Sequence, residues 1–223
     1  METHVETLNI CLVGFGSVNR AFVRLVAREA EWLRQHHSLD VRFSAIIARH
    51  GAWEPRSGEY LPPVAVLTRL ADMVAAGKAR LDAESLASAA SALGIDATMV
   101  LATSAPPTAA VLELIARRLT APADGRAPLT CLAEAVDVDY AAGEPATSYI
   151  RAALSVGAHA VSANKGPVVH ARAALLALAC DKGVRYLHES AVMDGVPIFS
   201  AWAGGFRPGG VRARASRPPN PLK

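Results

Sequence analysis

Short apolar runs alternate along the chain with longer stretches whose apolar residues recur at helical spacing. Leu8–Val13 (LNICLV) is a mostly apolar run stopped by glycine, as in a strand buried on both faces of a parallel sheet. Over Ser17–Leu33, the residues Val18, Ala21, Phe22, Leu25, Val26 and Trp32 recur near the helical period, which predicts a helix packed on that sheet. Val41–Ala48 (VRFSAIIA) predicts a second strand. Strand, helix and strand in this order form a βαβ unit, which is right-handed in nearly all proteins.

Gly51, Pro55, Gly58, Pro62 and Pro63 mark residues 50–63 as a loop. Ala65–Leu93 has helical composition and predicts two helices broken near Gly77. Further strands are predicted at Thr98–Ala102, Leu129–Val136, His159–Ser162 and Val184–His188. Helices are predicted at Pro106–Leu119, Ser148–Val156 and Arg172–Ala179, with a loop at Ala121–Pro128. The alternation predicts an α/β fold: a doubly wound, Rossmann-type, mainly parallel sheet in one domain over residues 1–200. Only the beginning of a second domain would follow. Ala203–Lys223 holds four Gly and four Pro in 21 residues without periodicity. Residues 201–223 are therefore expected to form a disordered Gly/Pro/Arg-rich tail.

Composition narrows the function classes. The chain has 223 residues, 52% of them apolar and 19% charged, enough for one large domain with a sizeable core. A net charge of +3 is too small to point to nucleic acid. No apolar run reaches the ~20 residues of a membrane span, and Met1–Glu6 carries two acids and no signal-like stretch. Cys11, Cys131 and Cys180 lie apart in apolar runs, which predicts three buried, reduced thiols. These features predict a soluble cytoplasmic protein with neither a membrane nor a nucleic-acid partner.

Gly14-Phe15-Gly16-Ser17-Val18-Asn19 closes the first strand and opens the first helix. A phosphate-binding turn needs glycine first for the tight turn and glycine second for close backbone approach; the helix start then offers free N–H groups. Asn19 stands where such turns usually have Gly or Ala, which predicts a poorer helix–strand fit. The alternative is a tight turn that binds nothing. After the second strand an acid would select the ribose 2′-hydroxyl of NAD, and a basic residue the 2′-phosphate of NADP. Arg49-His50 follows Ala48, which favours NADP, with NAD also accommodated.

Three segments carry a family resemblance: GFGSVNRAF near the start, GEPATSYIRAALSVGAHAVSANKGPV over Gly143–Val168, and HESAVMDGVPIF over His188–Phe199. Together, in this order and spacing, they closely resemble the homoserine dehydrogenases over roughly residues 7–200. The S-A-N-K-G-P and E-S-A-V-M-D-G-V-P-I segments are the specific ones. The resemblance implies NAD(P)-dependent interconversion of aspartate semialdehyde and homoserine, in the biosynthesis of threonine, methionine and isoleucine. It implies that Lys165 is catalytic. Its ammonium would stabilise charge on the carbonyl oxygen, or move a proton if its pKa is lowered. Ser162, Asn164 and Lys165 itself would line the same edge near the nicotinamide and contact the cofactor. Glu189 matches a position that binds a monovalent cation such as sodium, with the carbonyls of Val192, Asp194 and Val196; the alternative is that Glu189 caps the following turn. Leu101–Thr108 and Ala135–Tyr140 would both flank the nicotinamide, where one such loop is expected.

Members of the family continue into a second sheet that mediates a homodimer and carries the substrate-binding acids and a second lysine. Nothing after Ser200 resembles it. The substrate pocket is therefore expected to be incomplete, and the isolated chain to turn over little or no substrate. Two alternatives remain open: a non-catalytic NADP-binding module, and a dehydrogenase acting on another small aldehyde or ketone.

Overall fold

The computed structural model describes residues 5–56, 60–96, 100–121 and 128–203. Most of the expected tail, Thr98 and Met99 of the third expected strand, and residues 122–127 of the expected loop lie outside these residues. The elements run β1 (Glu6–Val13), α1 (Ser17–His37), β2 (Leu39–Ala48), β3 (Gly51–Pro55), α2 (Val64–Ala75), α3 (Ala83–Leu93), β4 (Val100–Ser104) and α4 (Thr108–Leu119). They continue with β5 (Leu129–Glu134), α5 (Ala146–Ser155), β6 (His159–Ser162), α6 (Lys165–Asp181), β7 (Tyr186–Leu187) and α7 (Ile198–Ala203).

The seven strands form one sheet in the order β4-β3-β2-β1-β5-β6-β7. β1 pairs in parallel with β2 and β5, and the parallel run continues through β6 to β7. β3 is antiparallel to both β2 and β4. The chain winds from β1 to β2 on one side and later to β5 on the other, so the fold switches direction beside β1. In such sheets a crevice opens outside the carboxyl ends of the strands at that point.

Side chains alternate across β1 because strands have a period of two. Ile10 and Leu12 join one core with Val23, Val26, Leu67 and Leu70 of α1 and α2. Cys11 and Val13 join the other with Ile115, Ile150 and Leu175 of α4, α5 and α6. β1 is thus covered on both faces, which explains its run of apolar residues. Burying each of Leu12, Ile46 and Leu132 contributes about 1.5–3 kcal/mol, and these three side chains are fully enclosed. No described helix is long and apolar enough to cross a membrane.

Four expectations need correction. Residues 50–63 are not all loop, since Gly51–Pro55 forms β3. Ala48 pairs with Gly51, so Arg49-His50 is a two-residue hairpin turn. The Gly and Pro punctuation hid a strand that is buried at every position. Gly51 is required there because an added Cβ would lie 1.4 Å from the Leu81 carbonyl oxygen. Secondly, α1 turns Asn19, Val23 and Val26 inward, whereas Val18, Leu25 and Trp32 are exposed. Thirdly, Cys180 is exposed, while Cys11 and Cys131 are buried; burial pushes both of those thiols up to about 12. Fourthly, helical structure does not end at Ser200 but runs through Ala203.

β3 carries Glu54, which is 7% exposed. Its carboxylate accepts from Arg117 (2.8 and 3.2 Å) and from Arg118 (3.1 and 2.8 Å) on α4. Arg118 also donates to the Pro55 carbonyl at 2.7 Å. These bonds fasten the reversed strand to the helix that crosses the sheet.

Candidate functional site

β1, β2 and β5 end side by side, and backbone bonds link the turns that follow them. The Gly14 N–H donates to Ile47 O and the Ala135 N–H to Val13 O, both at 2.8 Å. A cleft of about 680 Å³ opens over these turns. Its floor includes Gly14, Phe15 and Gly16 from the first turn, Arg49 and His50 from the hairpin, and Ala135 to Asp137 from the turn after β5.

The two glycines differ. Gly14 has φ +84°, and a Cβ there would lie 2.2 Å from Ala135 O. It allows the turn to pass beside β5. Gly16 has nothing within 4 Å of the Cβ position. No protein atom requires glycine at 16, which leaves an open approach to the backbone at the start of α1. No side chain caps that start and no acid sits in its first turn. The exposed N-terminus of this 21-residue helix suits an anion. Ser17 and Val18 are exposed beside the cleft, and Phe15 is buried.

Asn19 points inward rather than toward the cleft. Its amide donates to the carbonyls of Val13 (3.2 Å), Gly14 (2.6 Å) and Ala133 (3.2 Å). The expected loss of fit at this position is therefore corrected: the amide joins α1 to β1 and β5.

A second turn borders the same sheet edge. The Ala163 N–H donates to Glu134 O at 3.1 Å. Glu134, at the end of β5, is 2% exposed. Its carboxylate accepts from Ser162 Oγ (2.5 Å), the Val136 N–H (2.8 Å) and Asn164 Nδ2 (3.2 Å). Burial pushes this carboxyl upward, and the three hydrogen bonds only partly offset that push. Asn164 also caps α6, accepting from the Gly166 N–H at 3.0 Å, and donates to Val136 O at 3.3 Å. Ser162 and Asn164 are thus enclosed, and they fix the turn rather than line the cleft. Lys165 is the exposed first residue of α6, immediately after that cap.

Glu134 and Asp137 were not singled out in the sequence. The signal for Glu134 was a carboxylate ending an apolar strand. Of the two loops expected to flank one end of the cleft, both reach it: Pro106 follows β4, while Ala135, Val136 and Asp137 follow β5.

Glu189 lies away from this turn, in a short 3-10 segment. Its carboxylate accepts from the Phe199 N–H (2.7 Å) and from Ser200 N–H and Oγ (3.1 and 2.7 Å). Those bonds hold it below the ordinary carboxylate range. The carboxylate here caps the start of α7 rather than the turn directly after it. Val192 is partly exposed, and Asp194 and Val196 are exposed. Among the described residues no group of three or more His, Cys, Asp or Glu gathers as a metal site. The expected set, one carboxylate and three backbone carbonyls, is of another kind, and no step below depends on it.

The fold and the cleft define a class: an α/β protein of Rossmann type with a glycine turn at the switch point of its sheet. Comparison with models of known families gives no match. Against individual proteins the chain is 32% identical over 198 residues to the NAD(+)-dependent homoserine dehydrogenase of Pseudomonas canavaninivorans, covering 85% of this chain and 45% of that protein. The chain therefore matches the homoserine dehydrogenase family, and it spans about half the length of the curated relative it matches.

Solved structures agree in fold. The homoserine dehydrogenase of Thermoplasma acidophilum superposes with a TM-score of 0.58 at 16% identity, covering 88% of this chain and 47% of that one. A hyperthermophilic archaeal homoserine dehydrogenase in complex with NADPH gives 0.57 at 20% identity, covering 87% and 47%.

Proposed function

We propose that this chain supplies the NADP-binding and hydride-transfer face of a homoserine dehydrogenase. The observation that carries the reading is the meeting of two turns at one sheet edge. The glycine turn leaves Gly16 open before an uncapped helix. The Lys165 turn is tied to the cleft wall through Asn164 and Val136. The pyrophosphate would lie on the Gly14–Ser17 turn and the start of α1. Arg49, at the end of β2, would take the 2′-phosphate. When bound, the nicotinamide supplies or accepts the hydride.

Lys165 would do its work at the substrate oxygen. As the aldehyde of aspartate semialdehyde becomes the alcohol of homoserine, negative charge builds on that oxygen, and a fixed ammonium lowers the energy of that state. Ser162, Asn164 and Glu134 hold the turn on which Lys165 stands.

The test is a fluorescence titration with NADPH. Saturable binding is expected from the chain, and Gly16→Val should lose it while unfolding at the same temperature as the parent, since no atom opposes the new side chain. Lys165→Ala should bind NADPH within about twofold of the parent, as an exposed residue with no part in the phosphate turn. Equal binding by the parent and Gly16→Val would refute the placement of the cofactor.

A further inference from the structure

Arg49 and Asp137 stand on opposite sides of the glycine turn. Arg49 lies in the hairpin turn after β2, and Asp137 follows β5 by three residues. β2 and β5 flank β1 without touching one another, so two strand spacings, about 10 Å, separate their ends. The Arg49 guanidinium nevertheless bridges this gap and donates to Asp137 Oδ2. Both residues line the cleft, and their side chains are 73% and 84% exposed. The ion pair therefore crosses the mouth of the cleft, above the turn where the pyrophosphate is placed.

Resting on the NADP reading above, we propose that Asp137 helps to set cofactor preference by competing with the 2′-phosphate for Arg49. A guanidinium presents its paired donors to one anion at a time in the bidentate geometry. NADPH brings a second anion to Arg49, so its binding must release the guanidinium from Asp137 or share it. NADH has no 2′-phosphate, and with it Arg49 can keep neutralising Asp137. The acid thus weakens the advantage that the arginine would otherwise give NADPH. His50 and Arg80 also line the cleft. They are present in every variant below, so their charge does not distinguish one variant from another.

An exposed ion pair shifts an equilibrium by about two- to fivefold, and the expected effect has that size. The experiment titrates NADPH and NADH separately into the full chain, D137N, R49A and R49A/D137N. The quantity read is the ratio of NADPH affinity to NADH affinity. D137N should raise it by about two- to fivefold, and R49A should lower it below the parent. In the R49A background D137N should leave it unchanged. Added salt should shrink the D137N effect, because both groups face solvent.

A ratio that D137N does not move, with R49A still lowering it, overturns the inference and leaves the role of Arg49 standing. An equal shift in both backgrounds also overturns it, since Asp137 would then act as a plain charge. Saturable binding with a ratio that R49A does not lower removes Arg49 from phosphate recognition, and the inference with it. No binding of either cofactor by any variant, the parent included, overturns the nucleotide site itself.

Discussion

The two wings of the sheet are built on different principles. From β1 through β5 and β6 to β7, every strand is parallel, and β5, β6 and β7 are each reached through a helix. Such strands need apolar side chains on both faces, and they announce themselves as apolar runs. From β2 through β3 to β4 the chain reverses twice. There a hairpin replaces a crossover, and a buried carboxylate takes part in holding the strands. The parallel wing keeps its polar bonds and its close approach at Gly14 to the turns at the strand ends; the reversed wing carries a close backbone approach at Gly51 and a cluster of charges at Glu54 within its strands.

The largest effect should come from breaking that close approach. Gly51→Ala places a Cβ 1.4 Å from Leu81 O and 2.7 Å from Thr103 O. Both are backbone atoms, so β3 must leave its place between β2 and β4. A loss of about 3 kcal/mol or more is expected, read as the shift of the urea midpoint. The same change at Gly16 meets nothing, and its midpoint should stay within about 0.5 kcal/mol of the parent. Equal losses at the two glycines would show that the second wing is not held as described.

The contrast explains what the sequence disclosed. The strand at His159–Ser162 has the predicted bounds, and β1, β5, α4 and α5 lie within a few residues of theirs. Apolar runs and helical spacing carry that information directly. β3 was hidden because Gly51 and Pro55 read as loop punctuation, while its buried Glu54 has its partners some sixty residues away on α4. Site residues divide in the same way. Gly14 and Gly16 are legible because a turn geometry demands them. Glu134 is not, because its role depends on Ser162 and Asn164, which only the folded sheet brings beside it. Arg49 was legible as a position, but its engagement with Asp137 was not.

Asn19 offers a middle-sized test, at the seam between the wings. Its buried amide serves three carbonyls. Removing it from an enclosed site forfeits those bonds and leaves the carbonyl groups with fewer donors. Asn19→Ala should cost about 1–2 kcal/mol, although alanine is a usual residue at this place in phosphate turns. Thermal unfolding of the two proteins in parallel reads the difference. An unchanged midpoint would mean that the amide contributes only what water would have supplied, and that β1 and β5 hold α1 without it.

The smallest effect separates two carboxylates by the sign of their pH dependence. Burial raises Glu134 above the ordinary value of 4.5. The folded protein then holds its proton to higher pH than the unfolded chain. The stability linked to Glu134 is complete below about 4.5 and is lost as pH rises through the folded value. Glu189 behaves oppositely: its bonds to Ser200 and Phe199 lower it, so its contribution is present above 4.5 and is lost as pH falls through the folded value. Unfolding midpoints measured from acid to neutral pH should therefore respond in opposite directions to E134Q and E189Q. E134Q removes a loss on the way up, so its stability relative to the parent should rise with pH. E189Q removes a gain, so its relative stability should fall with pH. If E134Q instead fell with pH, its three hydrogen bonds would outweigh burial. Glu134 would then be an ordinary ionised anchor of the Lys165 turn, no different in kind from the half-buried cap at Glu189.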